Sequence, residues 1–326
     1  MFASKVKLIF LCGLVALVTA CGGRPKSGRA PERRSFPAVS APAATSDEEQ
    51  VLNFFLYHYW DRFLDTTQFY ACDSLLVNGV HHMEVTQNAV MYATVVARSG
   101  FEKGAAGLGA FLRKLEAFQA ADTSSNVFSY LTKETCEIFY DVNSPYRNED
   151  LYATFAAPLA ESRFTPDNMR TAYRYDVKMC SLNKVGTPAS DFRYIDRFGR
   201  THRLYDLRTD YTMVIFLNPG CAACEEIVEA LAEPVVVNLI KDGSMTLLGM
   251  YIDEDIASWL DKCDRLPELW KDGYDPDLII RADRIYNVRA IPSIYLLDRD
   301  KKVIMKDAPI QQISTALTEI SNSRKK

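Results

Sequence analysis

The chain has 326 residues, of which 48% are hydrophobic and 25% are charged. These proportions are those of a globular protein, and the length predicts about two domains. The formal net charge of −4 gives no reason to expect a nucleic-acid partner, because proteins that bind nucleic acids usually carry clustered positive charge.

The first 20 residues have the pattern of a secretory signal peptide. Lys5 and Lys7 precede an apolar run, Leu8–Leu17, which is too short to cross a membrane as a helix. The sequence Val18-Thr19-Ala20 before Cys21 resembles the lipobox of bacterial lipoproteins. In such proteins the signal is cut before the cysteine, whose sulfur is lipidated, so the resemblance implies lipidation at Cys21. The alternative is an ordinary signal peptide with a chance cysteine.

The residues after Cys21 bear on location. Gly22 follows the cysteine, and no acidic run comes soon after it. By resemblance to bacterial sorting signals, this pattern predicts a lipid-anchored periplasmic protein, held at the outer membrane. Residues 21–46 combine the lipidated cysteine with a stretch rich in Pro, Ala, Arg and Ser, which cannot bury much apolar surface and predicts a disordered tether.

Residues 47–183 are predicted to form an all-α helical domain. The first helix is apolar at spacings of three and four, at Leu52, Phe55, Tyr59 and Phe63. Further helices are predicted at about 84–99, 104–120, 125–140, 149–162 and 166–180. Pro158 predicts a kink or break in the helix at 149–162. Gly186 and Pro188 then mark a domain boundary, and the second domain is predicted to cover residues 186–326.

A Cys-x-x-Cys motif follows the first long apolar run of this second domain. Met213–Leu217 is typical of a buried strand, and Asn218-Pro219-Gly220 then breaks the chain. Cys221 and Cys224 stand at the start of a helical pattern. A helix N-terminus offers free N–H groups and a partial positive charge, which favour a thiolate at Cys221. Cys224 lies one turn further along, close enough to form a disulfide with Cys221.

The context of the motif makes it more specific than a lone Cys-x-x-Cys, which is also half of a zinc site. About 70 residues later, Ile291-Pro292 opens a predicted strand, which a turn joins to a second strand at Val303–Met305. With the strand predicted at Met245–Asp253, the order is β-α-β-α-β-β-α. At these residues the chain resembles the thioredoxin superfamily, and in particular lipoprotein-anchored thiol–disulfide oxidoreductases of the cytochrome-maturation type.

The resemblance implies an α/β fold in which a thioredoxin-like C-terminal domain follows the all-α domain. It implies that Pro292 is cis and faces the cysteine pair, and that Ile291 and Pro292 flank the substrate. The region 47–183 resembles a helical domain of unknown function that precedes thioredoxin-like domains in Bacteroides-group lipoproteins. Two positions depart from the family: Gly220 replaces the usual Trp, and Ile215 replaces the buried acid of thioredoxins. These departures leave the proton acceptor for Cys224 open.

The leading hypothesis is thiol–disulfide exchange, in which Cys221 forms a mixed disulfide and Cys224 resolves it. The expected partners are protein thiols and disulfides, together with a membrane or periplasmic electron donor. The resemblance favours a reductant, no cofactor is expected, and no metal site is predicted.

Three other functions are open. The chain could be a non-catalytic binding module with a structural disulfide, which the loss of the Trp and of the acid supports. Peroxide reduction usually needs a Thr where Asn218 stands, and zinc binding would need two further ligands near the cysteines.

Several other residues suggest a site but have a simpler interpretation. His81 and His82 lack further metal ligands at suitable spacing, so a surface or loop role is predicted. The aromatic first helix could line a peptide groove, although a core helix is favoured. Cys180 is predicted to be a small core residue. Cys263 is either a second redox thiol or, as its charged neighbours favour, a thiol on a surface helix.

Overall fold

The structure of the chain is a computed structural model that describes residues 33–42, 47–218 and 220–324. The predicted signal peptide and the predicted lipidation site Cys21 lie outside these ranges. No helix among the described residues combines the length and the apolar character that a membrane crossing requires.

The N-terminal part of the described chain is built from six α-helices. They are α1 (Glu48–His58), α2 (His82–Arg98), α3 (Phe101–Ala121), α4 (Val127–Tyr140), α5 (Glu149–Glu161) and α6 (Asp167–Cys180). A short hairpin that was not predicted, β1 (Leu76–Val77) and β2 (Val80–His81), precedes α2. Pro158 was predicted to kink or break this helix, and the break is wrong, because α5 continues through Pro158. Pro158 stands in the last turn, so the one hydrogen bond that its missing N–H removes lies near the end of the helix.

The core of the helical part is largely aromatic. Trp60, Phe63, Tyr92, Phe111 and Phe118 are all buried there, so the first helix and the turn after it belong to the core as predicted. Helices α1 and α3 approach closely at Gly107, where an added Cβ would lie 2.4 Å from Leu56 Cδ1.

The C-terminal part is a seven-stranded sheet within the described residues. Its strands are β3 (Arg193–Ile195), β4 (Thr201–Arg203), β5 (Tyr211–Phe216), β6 (Met245–Tyr251), β7 (Lys271–Tyr274), β8 (Ser293–Leu297) and β9 (Val303–Lys306). The order across the sheet is β4-β3-β7-β6-β5-β8-β9. The neighbours β5, β6 and β7 run parallel, and the other pairs are antiparallel.

Five helices complete this part. They are α7 (Ala222–Ala230), α8 (Pro234–Lys241), α9 (Ile256–Lys262), α10 (Ile279–Ala282) and α11 (Ile310–Ser323). Alternation along β5 sends Met213 and Ile215 to the face covered by α8 and α11, and Val214 and Phe216 to the opposite face. The central strand is therefore buried on both sides, as its unbroken apolar sequence predicts.

The local pattern of two segments does not show their structure. The chain after Gly199 forms the short strand β4, which ends at Arg203, and a 3₁₀ turn, Leu204–Asp206, follows it. The strand β7, which begins at Lys271, was not predicted.

The chain between the two parts is bonded to the edge of the sheet. Gly186 N–H donates to Val303 O at 2.8 Å, and Ala189 N–H donates to Lys301 O at 2.8 Å. These bonds cover β9, whose outer edge would otherwise present free N–H and C=O groups. The segment predicted to separate two domains is thus paired with the second of them.

Candidate functional site

The register of the central strands brings the two predicted motifs together. Phe216, the last residue of β5, pairs with Ser293, the first residue of β8. The chain that leaves β5 reaches Cys221, and the chain that enters β8 comes from Ile291-Pro292. The Cys-x-x-Cys segment and the segment that contains Pro292 therefore meet where β5 ends and β8 begins.

Cys221 is the N-cap residue of α7. Its Sγ accepts the backbone N–H of Cys224 at 3.2 Å, the position where a serine or aspartate oxygen usually accepts. The side chain is half-buried. The sulfur therefore lies at the N-terminus of α7, where it meets a backbone N–H at the positive end of the helix dipole.

Cys224 differs from Cys221 in exposure. It is only 5% exposed and packs in the same apolar cluster as Ile215 and Leu217. Burial, together with a hydrogen bond to Cys221, raises the pKa of the Cys224 thiol to about 12. At neutral pH Cys224 is therefore a protonated thiol that lies beside the Cys221 sulfur.

The peptide bond between Ile291 and Pro292 is cis, so this prediction is confirmed. The Cys221 Sγ lies 3.9 Å from Ile291 O, within reach of a weak hydrogen bond from the thiol. Cys221, Cys224 and Ile291 thus lie together, with Pro292 next along the chain. Their roles in catalysis and substrate binding stay predictions.

A cavity of about 350 Å³ lies beside Cys224, and no sequence pattern predicts it. Its walls include Leu217, Cys224, Val228, Trp259, Lys262 and Cys263. Cys263 was expected on a surface helix, but it begins a 3₁₀ turn, Cys263–Arg265, and is buried against Trp259 and Tyr251. Burial raises the pKa of the Cys263 thiol.

The position of the missing acid is filled by apolar packing. Ile215 is buried in the cluster that also contains Cys224, so this strand offers no carboxylate to take a proton. The first polar side chain after β5 is that of Asn218, whose Nδ2 donates a hydrogen bond to Asp253. Asp253 also forms an ion pair with Arg281. Asn218 Oδ1 is buried and has no hydrogen-bond partner among the described residues.

The other candidates from the sequence do not join this site. His81 caps α2 by accepting Met83 N–H at Nδ1, 3.3 Å away, and its ring stacks on His82. Cys180 is buried at the end of α6, as predicted. In the part of the chain that the structure describes, no three His, Cys, Asp or Glu side chains are grouped as metal ligands.

Comparison with known proteins gives a match for each part of the chain. A family model described as a domain of unknown function (DUF5106) matches residues 17–183. The crystal structure of a thioredoxin-like protein from Bacteroides caccae ATCC 43185 is 30% identical and has a TM-score of 0.76. That match covers 87% of this chain and 98% of the other. No curated protein matches the chain.

Two shorter structures match the C-terminal part. The C-terminal domain of an uncharacterized protein from Bacteroides fragilis NCTC 9343 is 36% identical over 42% of this chain and 99% of its own, with a TM-score of 0.41. A thiol:disulfide interchange protein from Bacteroides sp. is 22% identical over 43% and 91%, with a TM-score of 0.38. The predicted fold class is confirmed: a helical N-terminal part precedes a thioredoxin-like sheet.

Proposed function

The chain belongs to the DUF5106 family and is related over most of its length to a thioredoxin-like protein, and from this we propose that it is a thiol–disulfide oxidoreductase that acts through Cys221 and Cys224. The observation that carries the proposal is the inequality of the two thiols. Cys221 caps α7, is half-buried and accepts an N–H, while Cys224 is buried and protonated.

The first step uses Cys221 as the nucleophile. Its thiolate attacks one sulfur of a substrate disulfide, a bond forms between Cys221 and that sulfur, and the other substrate sulfur leaves as a thiolate. Exposure of Cys221 and its position at the helix N-terminus both favour this step.

The second step uses Cys224. After loss of its proton, Cys224 attacks the Cys221 sulfur, and the remaining substrate sulfur leaves. The substrate gains two electrons and two protons in total, and the protein is left with a Cys221–Cys224 disulfide. A second dithiol, the electron donor, returns the pair to the reduced state by the same exchange in reverse.

Protein disulfides are the proposed substrates. Ile291 and Pro292 lie beside Cys221, so an extended segment carrying a disulfide could lie along this loop. The lining of the cavity next to Cys224 contains apolar side chains, which suit an apolar side chain of the substrate, and also charged ones: Glu225, Glu229, Lys262 and Arg265.

We place the protein in the periplasm, held by lipid at Cys21, with the outer membrane as the proposed site. This part of the proposal depends on the sequence alone: the signal pattern and Cys21 support the lipid anchor, and Gly22 without a nearby acidic run supports the outer membrane. Replacing Cys21 with Ser should release the protein from the membrane fraction of cells. A variant that stays with membranes as the parent does would rule out this anchor.

The test of the activity is the exchange equilibrium of the cysteine pair with glutathione, followed by reduction of a peptide disulfide. We expect the pair to equilibrate within minutes and the reduced protein to cleave the peptide. A pair that resists reduction under these conditions would instead support a binding module with a structural disulfide, the alternative favoured by Ile215 in place of an acid.

A further inference from the structure

Away from the cysteine site, four charged side chains are buried where the helical part meets the sheet. Glu149 and Lys306 are each 2% exposed, Asp307 is 9% exposed and Arg289 is 13% exposed. We call these four side chains the junction cluster. Their burial requires an explanation, because a charge is expensive to remove from water unless it is paired.

Glu149, the first residue of α5, is the member that comes from the helical part. Its Oε1 accepts hydrogen bonds from Arg289 Nε and from Asn287 Nδ2, both at 2.8 Å. Its Oε2 lies 2.8 Å from Lys306 Nζ, an ion pair without hydrogen-bond alignment. One carboxylate from the helical part thus contacts both the loop before β8 and the end of β9.

Arg289 extends the network in two directions. Its Nη1 donates to Tyr140 O at the end of α4, and its guanidinium carbon lies 4.1 Å from the centre of the Tyr140 ring. Its Nη2 donates to Asp307 Oδ2 at 2.9 Å. Asp307 in turn donates its backbone N–H to Ile294 O in β8 at 2.7 Å. A planar guanidinium can hold these partners in fixed directions at the same time.

Lys306 ties the end of the helical part to the same place. Its Nζ donates to Cys180 O at 2.7 Å and to Leu182 O at 2.9 Å. These carbonyl groups lie at and just beyond the C-terminus of α6, where a cation is favourable.

The loop that Glu149 holds is the loop beside the reactive cysteine. Arg289 stands three residues before Pro292, and Ile291 O lies 3.9 Å from Cys221 Sγ. A short covalent path therefore joins the junction cluster to the surface of the proposed redox site. The helical part contributes no thiol to that site but bonds directly to the segment that borders it.

We propose that Glu149 is a positioning residue for the redox site, acting by holding the loop at 287–292 against Cys221. The inference depends on the oxidoreductase function proposed above and gives the helical part of the chain a role in it. Loss of the Glu149 charge leaves Arg289 and Lys306 short of a partner and frees the loop. The loop would then cover Cys221 less and would hold a substrate segment less well.

The test is Glu149→Gln in the full chain, with Glu161→Gln as the matched control. Glu161 ends the same helix and also pairs with an arginine, Arg174, but on the surface. Two properties are measured: the rate at which iodoacetamide alkylates Cys221, followed by mass spectrometry, and kcat and KM for a peptide disulfide. A melting curve of each variant is recorded alongside.

For Glu149→Gln we expect the alkylation rate of Cys221 to rise by about threefold or more, because the loop covers the sulfur less; this is the lower range for coupling through packed networks. KM should rise more than kcat falls. Glu161→Gln should match the parent in both. A Glu149→Gln variant that melts earlier but has the parent's alkylation rate and KM would overturn the proposal, because its role would be structural only.

If Glu149→Gln does not fold, Arg289→Lys serves the same purpose. It keeps the positive charge but removes the fixed fork that reaches both Glu149 and Asp307. An unchanged alkylation rate in this folded variant would also overturn the proposal. Alkylation of Cys221 does not require oxidoreductase activity, so it tests the role of Glu149 separately from the proposed function. If the parent exchanges no disulfides, the proposed function is wrong. A raised alkylation rate in Glu149→Gln would still show that Glu149 positions the loop.

Discussion

The cysteine site and the junction cluster are held by different kinds of interaction. At the cysteine site, Cys221 accepts the N–H of Cys224, a residue three positions along the same helix start. At the junction, Glu149 contacts Arg289 across 140 positions of the sequence. The first contact forms wherever a cysteine caps a helix, whereas the second exists only when both parts of the chain have folded. The proposed reactivity of Cys221 and the position of the loop at 287–292 therefore have separate physical origins.

The charges at the junction are a costly way to gain stability. Desolvation of a buried ion pair offsets most of its Coulomb attraction, and apolar side chains of similar volume often stabilise a protein more. Directed hydrogen bonds from Arg289 and Asn287 to one carboxylate do, however, define a single arrangement of the loop. The cluster is better explained by the position it defines than by the stability it adds.

The largest expected effect comes from removing either cysteine. Cys221→Ser and Cys224→Ser should each lower disulfide reduction by more than about a thousandfold, because both steps of the exchange need their own sulfur. Only Cys224→Ser should accumulate covalent complexes with substrate proteins, since it still forms the mixed disulfide but cannot resolve it. Non-reducing electrophoresis of both variants measures this difference. Equal trapping would reverse or remove the roles given to the two thiols.

The next largest effect is a loss of stability when the junction cluster is broken. Arg289→Leu leaves the buried Glu149 and Asp307 without their common partner, so we expect the free energy of unfolding to fall by about 3–5 kcal/mol. Arg174→Leu, which removes an exposed ion pair with Glu161, should cost less than about 1 kcal/mol. Urea unfolding of both full-length variants gives the comparison. Similar losses in the two would mean that the junction charges are not desolvated as the structure has them.

A packing defect inside the helical part should affect stability without affecting the thiol. Gly107→Ala places a Cβ against Leu56, and overpacking of this kind costs about 1–3 kcal/mol. The control is Gly109→Ala in the same helix, where the nearest atom to a new Cβ is Arg113 Nη1 at 3.6 Å; this change should stabilise by about 0.5–1 kcal/mol. Both variants should alkylate at Cys221 at the parent's rate. A changed rate in Gly107→Ala would mean that any loss of stability loosens the loop.

The sequence predicted the elements whose burial follows from local pattern. The apolar run Met213–Leu217 falls largely in the central strand β5, which ends at Phe216, and Pro292 immediately precedes β8. The pattern failed at β7, which contains Lys271, Asp272 and Gly273 and does not look like a strand. Its burial comes from distant partners: Arg197 pairs with Asp272, and Tyr194 packs where a side chain at Gly273 would stand.

The junction cluster could not be predicted for the same reason. In the sequence, Glu149 is an acid in the first turn of a helix, which is common because it complements the helix dipole. Nothing local distinguishes it from Asp150 beside it, or indicates that Arg289 will be its partner. The cavity beside Cys224 was missed because it depends on how the turn at Cys263 folds back towards α7. Both features require knowledge of contacts far apart in the chain.

The smallest expected effect concerns a carboxylate held by local bonds. Asp196 lies in the turn between β3 and β4 and is 8% exposed. Its carboxylate accepts hydrogen bonds from the backbone N–H groups of Phe198 and Arg200, and it lies 2.9 Å from His202 Nε2. Burial opposes ionisation, but the hydrogen bonds from Arg200, His202 and Phe198 outweigh it and hold the pKa of Asp196 at about 2. Asp307 shows the reverse, because its burial raises its pKa.

A carboxylate whose pKa is lower in the folded state stabilises the fold above its ordinary pKa of 3.8, and this stabilisation is lost as the pH falls from 3.8 to about 2. Its partners Arg200 and His202 are 67% and 37% exposed, so solvent screens these interactions, and we expect the parent to lose only about 1 kcal/mol more than Asp196→Asn across that interval. Urea midpoints at several pH values between 5 and 2 measure it, with Asp277→Asn as the control, because Asp277 pairs with Arg193 at the surface. If Asp196→Asn and the parent lose stability in parallel, the hydrogen bonds of the turn do not favour the ionised form. A locally bonded carboxylate would then be no easier to interpret from its surroundings than the buried acids of the junction.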